Sequence, residues 1–158
     1  MLKFITGRTL ALAAAAVAVF FAPLALADDA DDVMAVVQQW ADTEADLVGQ
    51  AKLIRDDRVQ VTGNGRQSDQ AANLRVQLAN HNARAKTAGG EPEMIVRIES
   101  PQVAVYGDTA VVSFVRLFNV IPYNSDPLPG NRAWFTLVLV KERGSWGIAH
   151  SHVSQANN

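Results

Sequence analysis

The sequence predicts an α+β domain in which N-terminal helices pack on one face of a curved, mainly antiparallel sheet. Two observations carry that prediction. Behind an apolar leader, Val33, Val36, Val37, Trp40, Leu47 and Val48 recur at helical spacing. From Glu93 onward the period falls to two, through four β-rich runs separated by short turns. Strands of that length need bulges to curve, and the bend leaves room for a pocket between sheet and helices.

The leader comes first. Lys3 and Arg8 precede an unbroken apolar run from Thr9 to Ala22, then Pro23 and the small-x-small signal Ala25-Leu26-Ala27 ahead of Asp28. This is the three-part pattern of a cleavable signal peptide over residues 1–27, with one domain over residues 28–158. The run is shorter than the roughly 20 residues a spanning helix needs. The chain has no cysteine, so it lacks a lipoprotein anchor. The expected location is periplasmic or secreted, with cleavage after Ala27 and no membrane attachment afterwards.

The helix expected next runs from Asp31 to Gln50, with the acidic cluster Asp28 to Asp32 favoured by the dipole at its start. Glu44 interrupts its apolar stripe, four residues after Trp40 and three before Leu47. Ala51 to Asp57 reads as a short helical or turn segment, Val59 to Thr62 as a strand and Gly63-Asn64-Gly65 as a turn. Ser68 is a good N-cap for a second helix to about Lys86, whose thin apolar face is Ala71, Leu74 and Leu78, extended by Ala85. Ala88-Gly89-Gly90 ends it. Glu93–Val105 and Thr109–Val120 form a hairpin around Tyr106-Gly107-Asp108. A loop from Pro122 to Asn131 leads to the strands Ala133–Glu142 and Trp146–Val153, joined by Arg143-Gly144-Ser145. The tail from Ser154 is polar.

Charge and composition narrow the function. Cleavage leaves 131 of the 158 residues, with 12 of the 14 basic residues and all 16 acidic ones, a net of −4. No basic stripe suits nucleic acid and no basic amphipathic helix suits a membrane surface. The absence of cysteine excludes disulfides, thiolate metal sites and thiol catalysis. No Ser-His-Asp set, phosphate loop or nucleotide fingerprint is present, so no cofactor is implied.

His150 and His152 lie two apart on a strand and are expected on the face of Trp146 and Ile148. They read either as a pocket wall carrying an acid or base, or as rim histidines tied to a backbone carbonyl. A two-histidine metal site needs a third ligand that the sequence does not place, and no metal is expected. Glu44 is the best carboxylate candidate: on the buried stripe it needs a partner, for which a histidine is natural, and at the stripe's edge it reaches solvent instead. The expected site therefore has Glu44 and His150 facing a common cavity, with Trp40, Trp134, Tyr123 and His152 around it. Asp56 and Asp57 read as a helix-end turn. Arg97 and Glu99, with Arg116 across from them, read as a ladder on the open sheet face, where Arg116 beside Phe114 and Phe118 would form an interface patch. Both faces of the Thr109–Val120 strand are largely apolar, so the second face wants a partner, most simply an isologous homodimer.

Several strings resemble a known superfamily. Leu53-Ile54-Arg55-Asp56-Asp57 is followed by a short strand and Gly65-Arg66. Val103 to Val112 holds a Gly107-Asp108 turn, and Phe135 to Lys141 leads through Gly144-x-Trp146 to Ile148-Ala149-His150-Ser151-His152-Val153-Ser154. Over about Asp31 to Ser154 the chain resembles the superfamily of nuclear transport factor 2, ketosteroid isomerase and SnoaL, nearest to the small SnoaL-like domains of bacterial secreted proteins. The resemblance implies a cone-shaped fold with a cavity between helices and sheet. Where members often carry arginine or another polar residue two before the strand threonine, this chain has Trp134. The superfamily hosts isomerases, cyclases, dehydratases, binding subunits and oligomerisation modules, so the fold alone names no activity. The leading expectation is a module that binds a small, largely apolar molecule. The alternatives are a cofactor-independent isomerase, dehydratase or cyclase using Glu44 or His150 as proton carrier, and a structural dimerisation module.

Overall fold

The computed structural model describes residues 22–156, with side chains from Asp28 onward. The leader's Lys3 and Arg8 and its apolar run as far as Phe21 lie outside the described residues. Helix α1 (Ala22–Asp42) and the short α2 (Leu47–Ala51) are followed by β1 (Ile54–Thr62), β2 (Gly65–Gln67) and α3 (Gln70–Ala88). Then come β3 (Glu93–Tyr106), β4 (Thr109–Ile121), β5 (Asn131–Glu142) and β6 (Ser145–Gln155). The strands form one six-stranded sheet in the order β2-β1-β6-β5-β4-β3. All neighbours are antiparallel except β1 and β6, which run parallel. The α+β class and the helices on one sheet face are as the sequence predicts.

The single helix expected over Asp31–Gln50 is broken between Thr43 and Asp46. Thr43 Oγ1 donates to the Gln39 carbonyl at 2.7 Å, closing α1, and the Asp46 side chain caps α2 by accepting from Gly49 N at 2.8 Å. Short polar side chains that bond nearby backbone compete with helix continuation in this way. The N-cap of α3 is Asp69 rather than Ser68, accepting from Ala72 N at 2.8 Å. Gly89, at φ 85°, ends the helix in the left-handed conformation that favours glycine. The segment expected to be helix or turn up to Asp57 is strand from Ile54, paired in parallel to Ile148. Gly65 to Gln67 adds the two-residue-turn partner β2.

The core lies between α1 and the inner face of the sheet. Val33 and Val37 are fully buried, and Ala41 nearly so. They meet Ala110, Val112 and Phe114 of β4, Phe135, Leu137 and Leu139 of β5, and Trp146 and Ile148 of β6. The Phe114 and Phe135 rings stack at 5.6 Å between centroids, and Trp40 closes on them at 6.3 and 5.5 Å. Offset and edge-on aromatic contacts of this kind add to burial. A buried polar set lies nearer the β2 edge. Arg58 donates to Gln60, Gln67 and Ser151 with no carboxylate among its described partners, and burial pushes its guanidinium below the usual range.

One register shift decides which residues can share a site. Leu139 pairs with Ile148, but the next pair is Val138 with His150, so Ala149 is an extra residue in β6. A bulge of this kind inverts the side-chain alternation beyond it. Ser151 then takes the inner face with Ile148 and Trp146, while His150 and His152 turn outward, opposite Val138 and Thr136. The expected shared face of His150, His152, Trp146 and Ile148 is therefore corrected.

Candidate functional site

The sheet curves away from the helices toward one end, where α1 has stopped and α3 crosses at a distance. A cleft of about 590 Å³ remains there. One wall is the inner face of the β3–β4 hairpin: Met94, Phe118 and Val120, with Met94 paired directly to Val120. Leu47 of α2 and Leu128 and Tyr123 of the loop after β4 close the sides. The opposite wall is one ridge of α3: Gln77, Asn80, His81, Arg84 and Ala88. The spacing of three and four brings these residues to one helix face. The cleft therefore has an apolar sheet wall and a polar helix wall.

Gly90 sets the position of Tyr123. A β-carbon at residue 90 would lie 2.5 Å from the Tyr123 ring, so only glycine lets the ring come this close. Tyr123 thus lines the cleft.

Glu44 also reaches the cleft, but not to meet a histidine. Arg116 Nη2 donates to Glu44 Oε1 at 2.6 Å, and Gln50 Nε2 donates to Glu44 Oε2 at 3.1 Å. The side chains are 20% and 13% exposed. Arg116 faces inward because its pair partner is Ile98, so the expected open-face ladder with Arg97 and Glu99 is corrected. Arg97 and Glu99 are on the outer face, where Glu99 accepts from Arg132 at 3.4 Å. The Arg116 guanidinium carbon lies 4.4 Å from the Phe118 ring centre and 5.6 and 5.5 Å from those of Trp40 and Phe135. Its Nε has no hydrogen-bond partner among the described residues. The rings supply a favourable negative face to the cation, and Glu44 supplies the counter-charge. This boxed ion pair separates the packed aromatic core from the open cleft.

A second polar contact involves His81 of the α3 wall. His81 Nε2 is 2.6 Å from Glu91 Oε2, with the imidazole largely covered. The contact holds the orientation of the ring. Arg84, one turn on, forms no ion pair with any described carboxylate.

Of the residues singled out in the sequence, Glu44 and Tyr123 line the cleft, whereas Trp40 packs on Phe114 and Phe135 in the core. His150, His152 and Trp134 do not reach it. Trp134 pairs with Val115 and Ser154 on the outer face and is 51% exposed. Asp56 and Asp57 are exposed on β1 rather than in a helix-end turn, and Asp57 pairs with Arg55 at 2.9 Å. His81, Arg84 and Glu91 were missed by sequence reasoning. The signal that could have found them is the run of polar residues at 77, 80, 81 and 84, which gives the second helix its thin apolar face. Among the described residues, no three histidine, aspartate or glutamate side chains gather as metal ligands.

Residues 81–158 match the family model described as a SnoaL-like domain. No curated protein matches the chain. Solved structures match its fold. An NTF2-like protein with a cystatin-like fold from Novosphingobium aromaticivorans is 13% identical, at a TM-score of 0.70 over 87% of this chain and 88% of that one. An NTF2-like superfamily protein from Salmonella enterica is 14% identical, at 0.69 over 84% and 94%. ActVI-ORFA from Streptomyces coelicolor is 15% identical, at 0.64 over 79% and 95%. At such identities the likeness is one of fold.

Proposed function

The chain belongs to the NTF2-like/SnoaL-like superfamily, and from that premise we propose that it is an exported domain binding a small molecule in the cleft between α3 and the β3–β4 wall. The superfamily's ligand-binding and isomerase- or cyclase-type members make both a binder and an enzyme reasonable starting points. The observation that carries the binding reading is the cleft itself. Its volume of about 590 Å³ falls within the roughly 300–1,000 Å³ of small-molecule sites. Its walls combine apolar surface with a few placed polar groups, as such sites do. The test is fluorescence titration with N-phenylnaphthylamine, a neutral apolar dye. Saturable binding at one dye per chain is expected, lost in Val120→Trp, which fills the cleft. Unchanged binding by that variant would place the site elsewhere, and no binding by the native chain would sink the reading.

Export rests on the leader, and cleavage after Ala27 would leave α1 beginning with Asp28, Asp29, Asp31 and Asp32, acids that suit a helix N-terminus. Intact mass of the exported protein decides it, and a chain retaining Met1 in the membrane fraction contradicts it. A second reading, a cofactor-independent proton-transfer enzyme, is favoured by the 2.6 Å contact of His81 with Glu91 on the cleft wall. It moves the expected proton carrier from His150 to His81. Solvent-deuterium uptake beside the carbonyl of a bound aryl ketone, lost in His81→Ala, would support it. Uptake no faster than in buffer would exclude it for that substrate class.

A further inference from the structure

The two cleft walls do not match each other. A helix facing the inside of a sheet ordinarily presents apolar residues, as α1 does with Val33 and Val37. The α3 ridge instead presents Gln77, Asn80, His81 and Arg84 toward Met94, Phe118 and Val120. Polar side chains pressed on that wall would lose water without gaining partners. The arrangement suits an occupant with one apolar side and one hydrogen-bonding side.

The charges say which kind of polar group that side carries. Glu44 is matched by Arg116 and further held by Gln50. Glu91 is in hydrogen-bond contact with His81. Arg84 is the cation left over, standing one turn from His81 on the same ridge with no described carboxylate in reach. A guanidinium presents a planar fork of donors that fits the paired oxygens of an acid. The apolar wall opposite, Met94, Phe118 and Val120, takes the apolar side of such an occupant.

We propose that the cleft recognises an amphipathic organic anion, its apolar body against Met94, Phe118 and Val120 and its acidic group on Arg84. This rests on the cleft being the binding site, and the test separates the two claims. Anilinonaphthalene sulfonate and N-phenylnaphthylamine share one ring framework and differ in the anionic group. The sulfonate is expected to bind about tenfold tighter, the scale of one charge-assisted contact. Arg84→Gln should remove that preference, and Arg84→Lys should restore part of it. Arg84 is exposed, so these variants should keep the native circular dichroism. Equal binding of the two dyes, or a sulfonate preference unchanged in Arg84→Gln, overturns the anion proposal and leaves the cleft reading standing. Failure of both dyes to bind overturns both.

Discussion

Helices α1 and α3 lie over the same face of one sheet and meet it in opposite ways. Helix α1 buries Val33, Val37 and Ala41, with Val33 and Val37 in the core cluster it shares with the sheet. Helix α3 is of similar length, yet its described buried residues are only Gln70 and Ala85, and its Val76 points to solvent. The difference is written in the residues at three- and four-residue spacing. Apolar ones pull a helix onto the sheet, and polar ones hold it off. Closure under α1 supplies the stability that lets α3 stand over a cavity, so the helix that packs worse is the one that carries the site.

The largest expected effect tests that division. Phe114 is fully buried, stacked on Phe135 and edge-on to Trp40. Phe114→Ala should lower stability by about 3–5 kcal/mol in urea denaturation. Asn80→Ala on the α3 ridge should stay within about 0.5 kcal/mol, as exposed positions do. Similar losses in the two variants would break the comparison.

The boundary between the two regions should give the next largest effect. Glu44→Gln leaves the Arg116 guanidinium among three rings without its counter-charge. Removing one partner of a fully buried pair costs about 3–5 kcal/mol, and this pair keeps some solvent contact, so about 2 kcal/mol is expected. The double variant Glu44→Leu, Arg116→Met should recover most of the loss, because well-packed apolar replacements remove the desolvation cost of both charges. A double variant no better than the single one would show that the pair, rather than its burial, stabilises this boundary.

The face that neither helix covers provides a third test. Val111, Val115, Leu117 and Trp134 share it, with Trp134 half exposed. We propose that this face buries itself in a homodimer, as its apolar character suggests. Sedimentation at micromolar concentration should show two chains, and Trp134→Glu should raise the dissociation constant at least tenfold, the scale of an aromatic hot spot. A monomeric native chain would contradict the proposal and leave the α1–α3 comparison untouched.

Much of the α1 side was legible in the sequence. The stripe through Trp40, the Tyr106-Gly107-Asp108 hairpin and the final strands follow from spacing and turn residues, because each is a local signal. The site was legible only in part. Glu44 was visible as a break in the stripe, but its partner depended on the facing of Arg116 and His150. A single extra residue, Ala149, reverses the second of these, and nothing in Ile148-Ala149-His150 marks a bulge. Arg116 faces inward through its register with Ile98, a long-range pairing that alternation alone leaves open in a strand apolar on both faces. The α3 ridge was visible as a weak apolar pattern. Its meaning needed the cavity opposite, which no local sequence signal contains.

The smallest expected effect comes from an exposed cluster on the outer face. Arg55 donates through Nε and Nη2 to the two Asp57 oxygens at 2.9 and 3.0 Å, and through Nη1 to Glu142 at 2.7 Å. It ties β1 to the end of β5, away from both the core and the cleft. The guanidinium holds the Asp57 carboxyl below the usual range, chiefly through those hydrogen bonds. A carboxyl lowered in the folded chain stabilises it at pH above its unfolded value, and that gain is lost as pH falls through the folded value. Asp57→Asn should therefore lower the urea midpoint slightly near neutral pH, and the gap from the native chain should close as pH drops below about 4. Exposed pairs contribute little, so the gap should be well under that of Glu44→Gln. A gap that stays constant down to low pH would mean that the side chain acts through packing rather than charge. A gap as large as that of the boxed pair would mean that burial is not what separates the two clusters.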